Sequence, residues 1–450
     1  MRRTEAEEEE YLSLCEYAVS HGDKMGADES EVMIVRKRST SVTAELGELS
    51  TVSSITWEGL RLRVIKDKAM ASVFTHAVNR SSIGEAIGRA IKAAQCSWKD
   101  PHWSSLPSPG RYPSLRLWDE TLAQITPHML IEPVTDMLKA APPPLILHRI
   151  AHEASTRERM CVNSNDIYHA DRGTHENVTI RALIKNQKEG VSSTFHLASY
   201  QRKYDPPYHL IQEMKEKSSL FNAKTQAHSG TATVILSPLT ILKLFHYALL
   251  GALSGDSIAR DGSFFTDKVD ERVANSQVSL HDNGIIEEGT ASQEMDDEGV
   301  PSQDTVLIRD GILTGFLWDD YWASRMKKQS TGNALYNDRT GRMGICHTNL
   351  EVECGTYSWE ELLEGKEGYF ICDIKGAHSS NPDTGAFTVT ASPAFRVLQG
   401  CISGYITGMM ISDSIFSLIQ KIDAVGKDRE VRQDAILPYI RCENVNIIAP

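Results

Sequence analysis

The chain has 450 residues, 41% of them hydrophobic and 24% charged, which excludes wholesale disorder and leaves room for two or three domains. Its 30 glycines and 17 prolines are too few for a collagen-like or proline-rich stalk. With 47 basic against 60 acidic side chains the net charge is −13, which repels phosphate backbones and argues against nucleic acid as a partner.

The chain begins MRRTEAEEEEYL, with the acidic run Glu7–Glu10 where a signal peptide would carry its apolar core. Residues Glu5 to Gly22 predict a helix, because Tyr11, Leu12, Leu14, Cys15, Ala18 and Val19 fall at helical spacing and Gly22 closes it. Strand-like runs follow at Val32–Val35, Ser41–Leu46, Gly59–Ile65 and Ala69–Thr75. The third alternates apolar and polar residues, the mark of a sheet with one covered face. The triplet Arg36-Lys37-Arg38 reads as a solvated strand end. Ser82 and Glu85, spaced like a capping box, open a second helix. Helix, strands, helix is the pattern of a two-layer α+β unit.

Between Lys99 and Pro127, Pro101, Pro107, Pro109 and Pro113 gather with serine and glycine, which predicts a linker. Beyond Pro142-Pro143-Pro144 the chain looks strand-rich to about Tyr204. The longest apolar stretch, Val234 to Leu253, is interrupted by Pro238, Lys243 and His246 and fits a buried helix better than a membrane span. Ser237 is its N-cap and Pro238 its first residue. Leu239, Leu242, His246, Leu249, Leu250 and Leu253 share one face, so His246 reads as a satisfied core histidine. Farther on, Asp310-Gly311 between two apolar runs signals a hairpin.

Eight scattered cysteines without a C-x-x-C suit a reduced, cytoplasmic protein. Phosphate-binding loops, dinucleotide fingerprints and nucleophile elbows are absent from the sequence. His152-Glu153 and His175-Glu176 lack a second imidazole at ligand spacing. The run Glu294–Gly299 reads first as a tight turn, with a divalent cation held by oxygen ligands as the alternative. Ser330–Ala334 suits either a loop whose backbone donors face a ligand or a plain surface loop.

Leu249–Ser257, Asp296–Gln303, the hairpin after it, Ser330–Ala334, Gly376-Ala377-His378, Asn381–Phe387 and Val425–Asp428 together resemble, in content and order, the TldD/PmbA family. The resemblance is clear from about Thr231 onward. It implies an intracellular assembly of two related subunits that cleaves unfolded or short peptides and matures some peptide natural products. One subunit, of TldD type, is a zinc protease with H-E-x-x-x-H on this helix and a cysteine ligand near its C-terminus; the other, of TldE type, lacks those ligands. On this correspondence His246 takes the first ligand position, Tyr247 that of the glutamate base and Gly251 that of the second histidine. No cysteine lies between Arg429 and Asp434, and Cys442 reads as a packed thiol. One imidazole cannot hold a catalytic zinc, and a phenol with a reference pKa near 10 cannot replace a carboxylate base.

The resemblance therefore implies a non-catalytic TldE-type subunit with no metal or cofactor of its own and zinc in a TldD-type partner. Asp296, Asp297, Glu298, Gly299, Ser330, Thr331, Gly332 and Asn333 are the candidate walls of a shared peptide chamber. Two alternatives stay open. One is a divergent metallopeptidase drawing on His347, His378, Cys346 or Cys354; the other is a stand-alone, homodimeric peptide-binding module. Neither a membrane nor nucleic acid is expected as a partner. The expected architecture is α+β. It has an N-terminal two-layer domain (1–110), a linker with a strand-rich middle segment (111–225), and a barrel-like mixed-sheet domain with a central helix (226–450).

Overall fold

The computed structural model describes residues 5–143, 145–186, 190–221, 223–337 and 340–450. Helix α1 (Glu5–Lys24) leads into three antiparallel strands, β1 (Glu29–Glu45), β2 (Glu48–Lys66) and β3 (Ala69–Thr75). The β1–β2 hairpin turns at Leu46-Gly47, both with positive φ (51° and 94°), the geometry whose twist matches the flanking strands. Helix α2 (Arg80–Cys96) is capped by Asn79, whose side chain accepts from the Ser82 amide at 3.0 Å. The cap thus sits three residues before the expected Ser82–Glu85 box. Leu14, Cys15 and Ala18 of α1 and Ile83, Ile87 and Ile91 of α2 pack on Val32, Ile34, Leu60 and Leu62 of the sheet.

The proline-rich stretch contains α3 (Glu120–Ala123) and is no free linker, because Trp103, Leu106 and Leu117 are buried. The Glu29 carboxylate accepts from Trp103 Nε1 (2.8 Å) and from the Leu106 amide (2.5 Å). After α4 (Pro127–Ala140) come β4 (Leu145–Asn163), β5 (Tyr168–Asn186) and β6 (Gly190–Gln201); Pro144 lies outside the described residues.

The first six strands make one antiparallel sheet of order β3-β2-β1-β4-β5-β6. β1 pairs with β4 from Glu31–Asn163 to Glu45–Arg149, so segments 1–110 and 111–225 share a sheet rather than forming separate units. Without β4, the long β1 would be an open edge. The triplet Arg36-Lys37-Arg38 accordingly lies in the middle of β1, not at a strand end.

After α5 (His209–Ser218), β7 (Gly230–Leu236) starts a second, thirteen-stranded mixed sheet. It branches and among the described residues closes into no barrel, which corrects that part of the expected fold. β7 lies between the strand Gly368–Ile371, parallel to it, and the strand Ala435–Ile448, antiparallel to it. It feeds straight into α6 (Pro238–Leu244), capped as expected by Ser237, whose hydroxyl accepts from the Thr240 amide at 3.2 Å. The helix then changes pitch twice, through a π turn at Phe245–Leu249 and a 3-10 turn at Leu250–Leu253. Leu244, Phe245, Ala248, Leu249 and Leu253 join Phe265, Leu280, Leu307 and Trp318 in the core. The Asp310-Gly311 hairpin forms as expected (φ 48° and 79°). No described helix is long and apolar enough to cross a membrane.

Candidate functional site

The π turn decides what happens at the expected metal positions. It bonds residue i to i+5, here the Leu250 amide to the Phe245 carbonyl, and five is the separation of 246 and 251. The extra residue per turn also shifts the phase of the leucine stripe. His246 and Tyr247 are therefore exposed, and the expectation of a core histidine at 246 is corrected. The His246 ring meets Tyr247 edge-on at 4.8 Å and His347 at 5.9 Å between centroids; Tyr247 in turn meets His378 at 6.5 Å. Surrounding protein, and then the charge on His347, lower the His246 pKa.

His347 is buried, with Nε2 3.2 Å from Asp434 Oδ2 in an ion pair that lies off a straight hydrogen-bond line. Burial favours the neutral ring, but Asp434 and the Cys346 thiol (3.9 Å from Nδ1) outweigh it and raise the pKa to about 10. Asp434 thus favours the protonated ring of His347, and a metal would have to displace that proton to bind there. Gly251 offers no donor, and a Cβ there would meet Pro382 at 3.3 Å.

One imidazole, a phenol, a glycine and a histidine already paired with Asp434 do not fit the three-ligand set of a catalytic zinc. Among the described residues no three His, Cys, Asp or Glu side chains converge at metal-holding distance. Cys354 is exposed beyond the strand Leu350–Val352, and Cys442 is buried in the strand Ala435–Ile448, its thiol pushed up by burial.

The Asp296–Gly299 turn is a buried strut. Asp296 accepts from the amides of Glu298 (2.8 Å), Val300 (2.9 Å) and Ala334 (3.0 Å). Glu298 takes Arg63 Nη1 at 2.6 Å and the Asp320 amide at 3.0 Å. Arg63 also holds Glu31 at 2.6 Å, with all three side chains almost wholly buried. Arg159 ties Asp297 (2.9 Å) to Asp171 (2.9 Å and 2.5 Å) and to the Met295 carbonyl (2.6 Å). Burial would raise the Asp171 pKa; Arg159 outweighs it and holds the carboxyl at about 2. Gly299 has φ +77°, and a Cβ there would lie 2.9 Å from Cys161 Sγ. Asp296, Glu298 and Gly299 are therefore buried against protein, and Asp297 borders a cavity.

In the second expected loop, Gly332 and Asn333 are buried. Asn333 Nδ2 donates to Asp282 Oδ2 (2.6 Å) and to the Cys346 carbonyl (2.9 Å), bracing the segment that carries His347. Ser330 and Thr331 line a separate cavity with Gln303 and Trp318.

A cleft that the sequence did not reveal runs between the two sheets. One face of the first sheet carries Met33, Val35 and Lys37 of β1, Trp57, Gly59 and Arg61 of β2, and Arg157 and Arg159 of β4. It borders a cavity of about 280 Å³ whose far wall is Asp297, Leu335 and Tyr336. A neighbouring cavity of about 520 Å³ is lined by Glu153, His175, Tyr200, Thr290, Gln433 and Asp434. The two share Lys37 and Arg157. A small cavity beside Ser237 and Cys372 shares Tyr200 and Gln433 with the second. It leads to an aromatic cavity of about 350 Å³ walled by Phe221, Trp359, Phe370, Phe395 and Tyr439. Asp434 joins this row of cavities to His347 and so to His246.

Comparison with known proteins follows the same division of the chain. Residues 229–449 match the PmbA/TldA metallopeptidase C-terminal domain, and residues 30–94 match PmbA/TldA metallopeptidase domain 1. A metalloprotease of Methanocaldococcus jannaschii is 32% identical over 225 residues, 49% of this chain and 49% of that protein, so the match spans about half of that relative's length. An uncharacterized protein of the same organism is 24% identical over 94% of this chain and 97% of its own. The crystal structure of TldE from Thermococcus kodakarensis superimposes with a TM-score of 0.92 at 28% identity, covering 96% of this chain and 99% of that one.

Proposed function

The chain belongs to the PmbA/TldA (TldD/PmbA) metallopeptidase family, and from that premise we propose that it is the non-catalytic, TldE-type subunit of a peptide-cleaving pair. The observation that carries the reading is the donor set on the π turn: Tyr247 and Gly251 stand where a base and a ligand are required, beside a His347 kept protonated by Asp434. Zinc and the activated water then belong to a TldD-type partner that carries H-E-x-x-x-H. This subunit's contribution is its cleft, which holds an unfolded or short peptide while the partner cuts it. Backbone pairing along a strand edge fixes an extended chain without reading its sequence, and side-chain pockets add preference. The reading places such a chain in the row of cavities between the two sheets, whose wall includes Asp434, the partner of His347, with the His246 ring 5.9 Å beyond that of His347.

The test is co-expression with a TldD-type chain. The two are expected to co-elute, and hydrolysis of an unfolded peptide is expected from the pair and not from this chain alone. Separate elution with unchanged hydrolysis, or a stable homodimer indifferent to the partner, overturns the reading.

A further inference from the structure

Within that peptide-holding reading, we propose that Lys37 and Arg157 form a subsite for the C-terminal carboxylate of a bound peptide. The two cations are direct cross-strand partners on β1 and β4. Like charges placed opposite each other cost stability unless something between them carries the opposite charge. Among the described residues neither has a carboxylate within ion-pair distance, whereas Arg61, Arg63 and Arg159 on the same face each have one.

Arg157 spends Nη2 on the neutral Gln293 (3.3 Å), and its buried Nε has no hydrogen-bond partner among the described residues. Burial first, and Arg159 second, lower its pKa to about 10, which leaves it charged at neutral pH. Opposite it on β5 stands Gly173, where a Cβ would lie 2.6 Å from Arg202 Nη1. Arg202 enters through that gap and gives its N–H groups to the carbonyls of Gly289, Thr290 and Ser292, adding a further charge that among the described residues has no carboxylate in ion-pair contact.

The acids on the same cavity are engaged elsewhere. Glu153 accepts from Ser39 (2.6 Å), Glu176 bonds His152 (2.7 Å) and Gln201 (2.5 Å), and Asp434 pairs with His347. What remains at the junction of the two cavities is a pair of facing cations that, among the described residues, have no ion-paired carboxylate of their own, a pair that an incoming carboxylate satisfies with two oxygens.

The position favours a chain end over an internal acid. Lys37 and Arg157 stand at the junction of the 280 Å³ and 520 Å³ cavities. The smaller is walled by Trp57 stacked on Phe74 (5.7 Å), by Leu335 and by Tyr336, and Gly59, lacking a Cβ, lets the Phe74 ring lie across β2. An apolar last side chain enters this cavity, its carboxylate meets the two cations, and the preceding residues run into the larger cavity.

Fluorescence anisotropy of labelled unfolded decapeptides, on the full chain alone and paired with a TldD-type subunit, tests this. Three probes are used: a free acid ending in leucine, its C-terminal amide, and an amide with an internal glutamate. The free acid is expected to bind about tenfold more tightly than its amide. That gap is expected to close in the Lys37→Gln/Arg157→Gln double variant and to persist in part in Arg157→Lys. Equal binding of acid and amide overturns the subsite while leaving peptide holding intact. Equal binding of the free acid and the glutamate-bearing amide assigns the cations to acidic side chains and overturns the chain-end assignment. No binding of any probe, alone or paired, overturns both readings.

Discussion

Arg63 and Arg157 project from the same face of the first sheet, and their surroundings are opposite. Arg63 lies between Glu31 and Glu298, 2.6 Å from each, and Arg159 beside it is paired with Asp171 and Asp297. Arg157 faces another cation across the strand pair and two cavities to either side. Buried charges are tolerated when they are paired. The first cluster is therefore architecture, a lock between the β1–β5 sheet and the Asp296–Gly299 turn. The second has two cations beside open cavities and, among the described residues, no carboxylate paired with either, the condition under which a ligand completes the pairing.

Substitutions at the two clusters sharpen that contrast. Arg63→Met strands two buried carboxylates and is expected to cost about 3–5 kcal/mol in chemical denaturation; a loss under about 1 kcal/mol would show that the lock is slack. Gly299→Ala combines a left-handed φ with a close approach to Cys161 and is expected to cost about 1–3 kcal/mol by the same measurement. Asn79→Ala removes the α2 cap, which is remote from both clusters, and should cost about 1 kcal/mol. Arg157→Met, in contrast, should change stability by no more than about 0.5 kcal/mol, since among the described residues its one side-chain partner is the neutral Gln293. A large loss there would make Arg157 structural and dissolve the comparison.

The His347–Asp434 pair gives a pH signature of its own. The folded-state pKa of His347 is raised to about 10 from an ordinary 6.5, so the native state holds the proton more tightly. The stability it supplies is complete below pH 6.5 and is lost as pH rises through about 10. Melting temperatures measured across that window should fall in the wild type and flatten in Asp434→Asn. An unchanged slope in the variant would place the effect elsewhere.

Much of the fold was legible where the signal is local. The first helix, the Ser237 cap and the Asp310-Gly311 hairpin depend on residues adjacent in the chain, and motif order from Thr231 onward carried the family. What escaped depends on pairing across long separations. Arg36-Lys37-Arg38 looks like any solvated charge run until β4 is laid beside β1, more than a hundred residues away, and sets Arg157 opposite Lys37. The proline-rich stretch looks free until Glu29 is seen to bind Trp103 and Leu106. The acidic turn looks like an open wall because its arginine partners are distant in sequence. His246 was misplaced for a different reason: a leucine stripe counted at 3.6 residues per turn does not anticipate a π turn.

The central claim is that this polypeptide has kept the shape of a metal pocket without the groups that grip and use the ion. Metal content of the purified full-length chain after equilibration with zinc, read together with peptide hydrolysis by the same sample, tests it most directly. The account predicts well under one zinc per chain and no cleavage until a TldD-type subunit is added. One tightly held zinc per chain, with hydrolysis by the chain alone that is lost on changing His246, would contradict it.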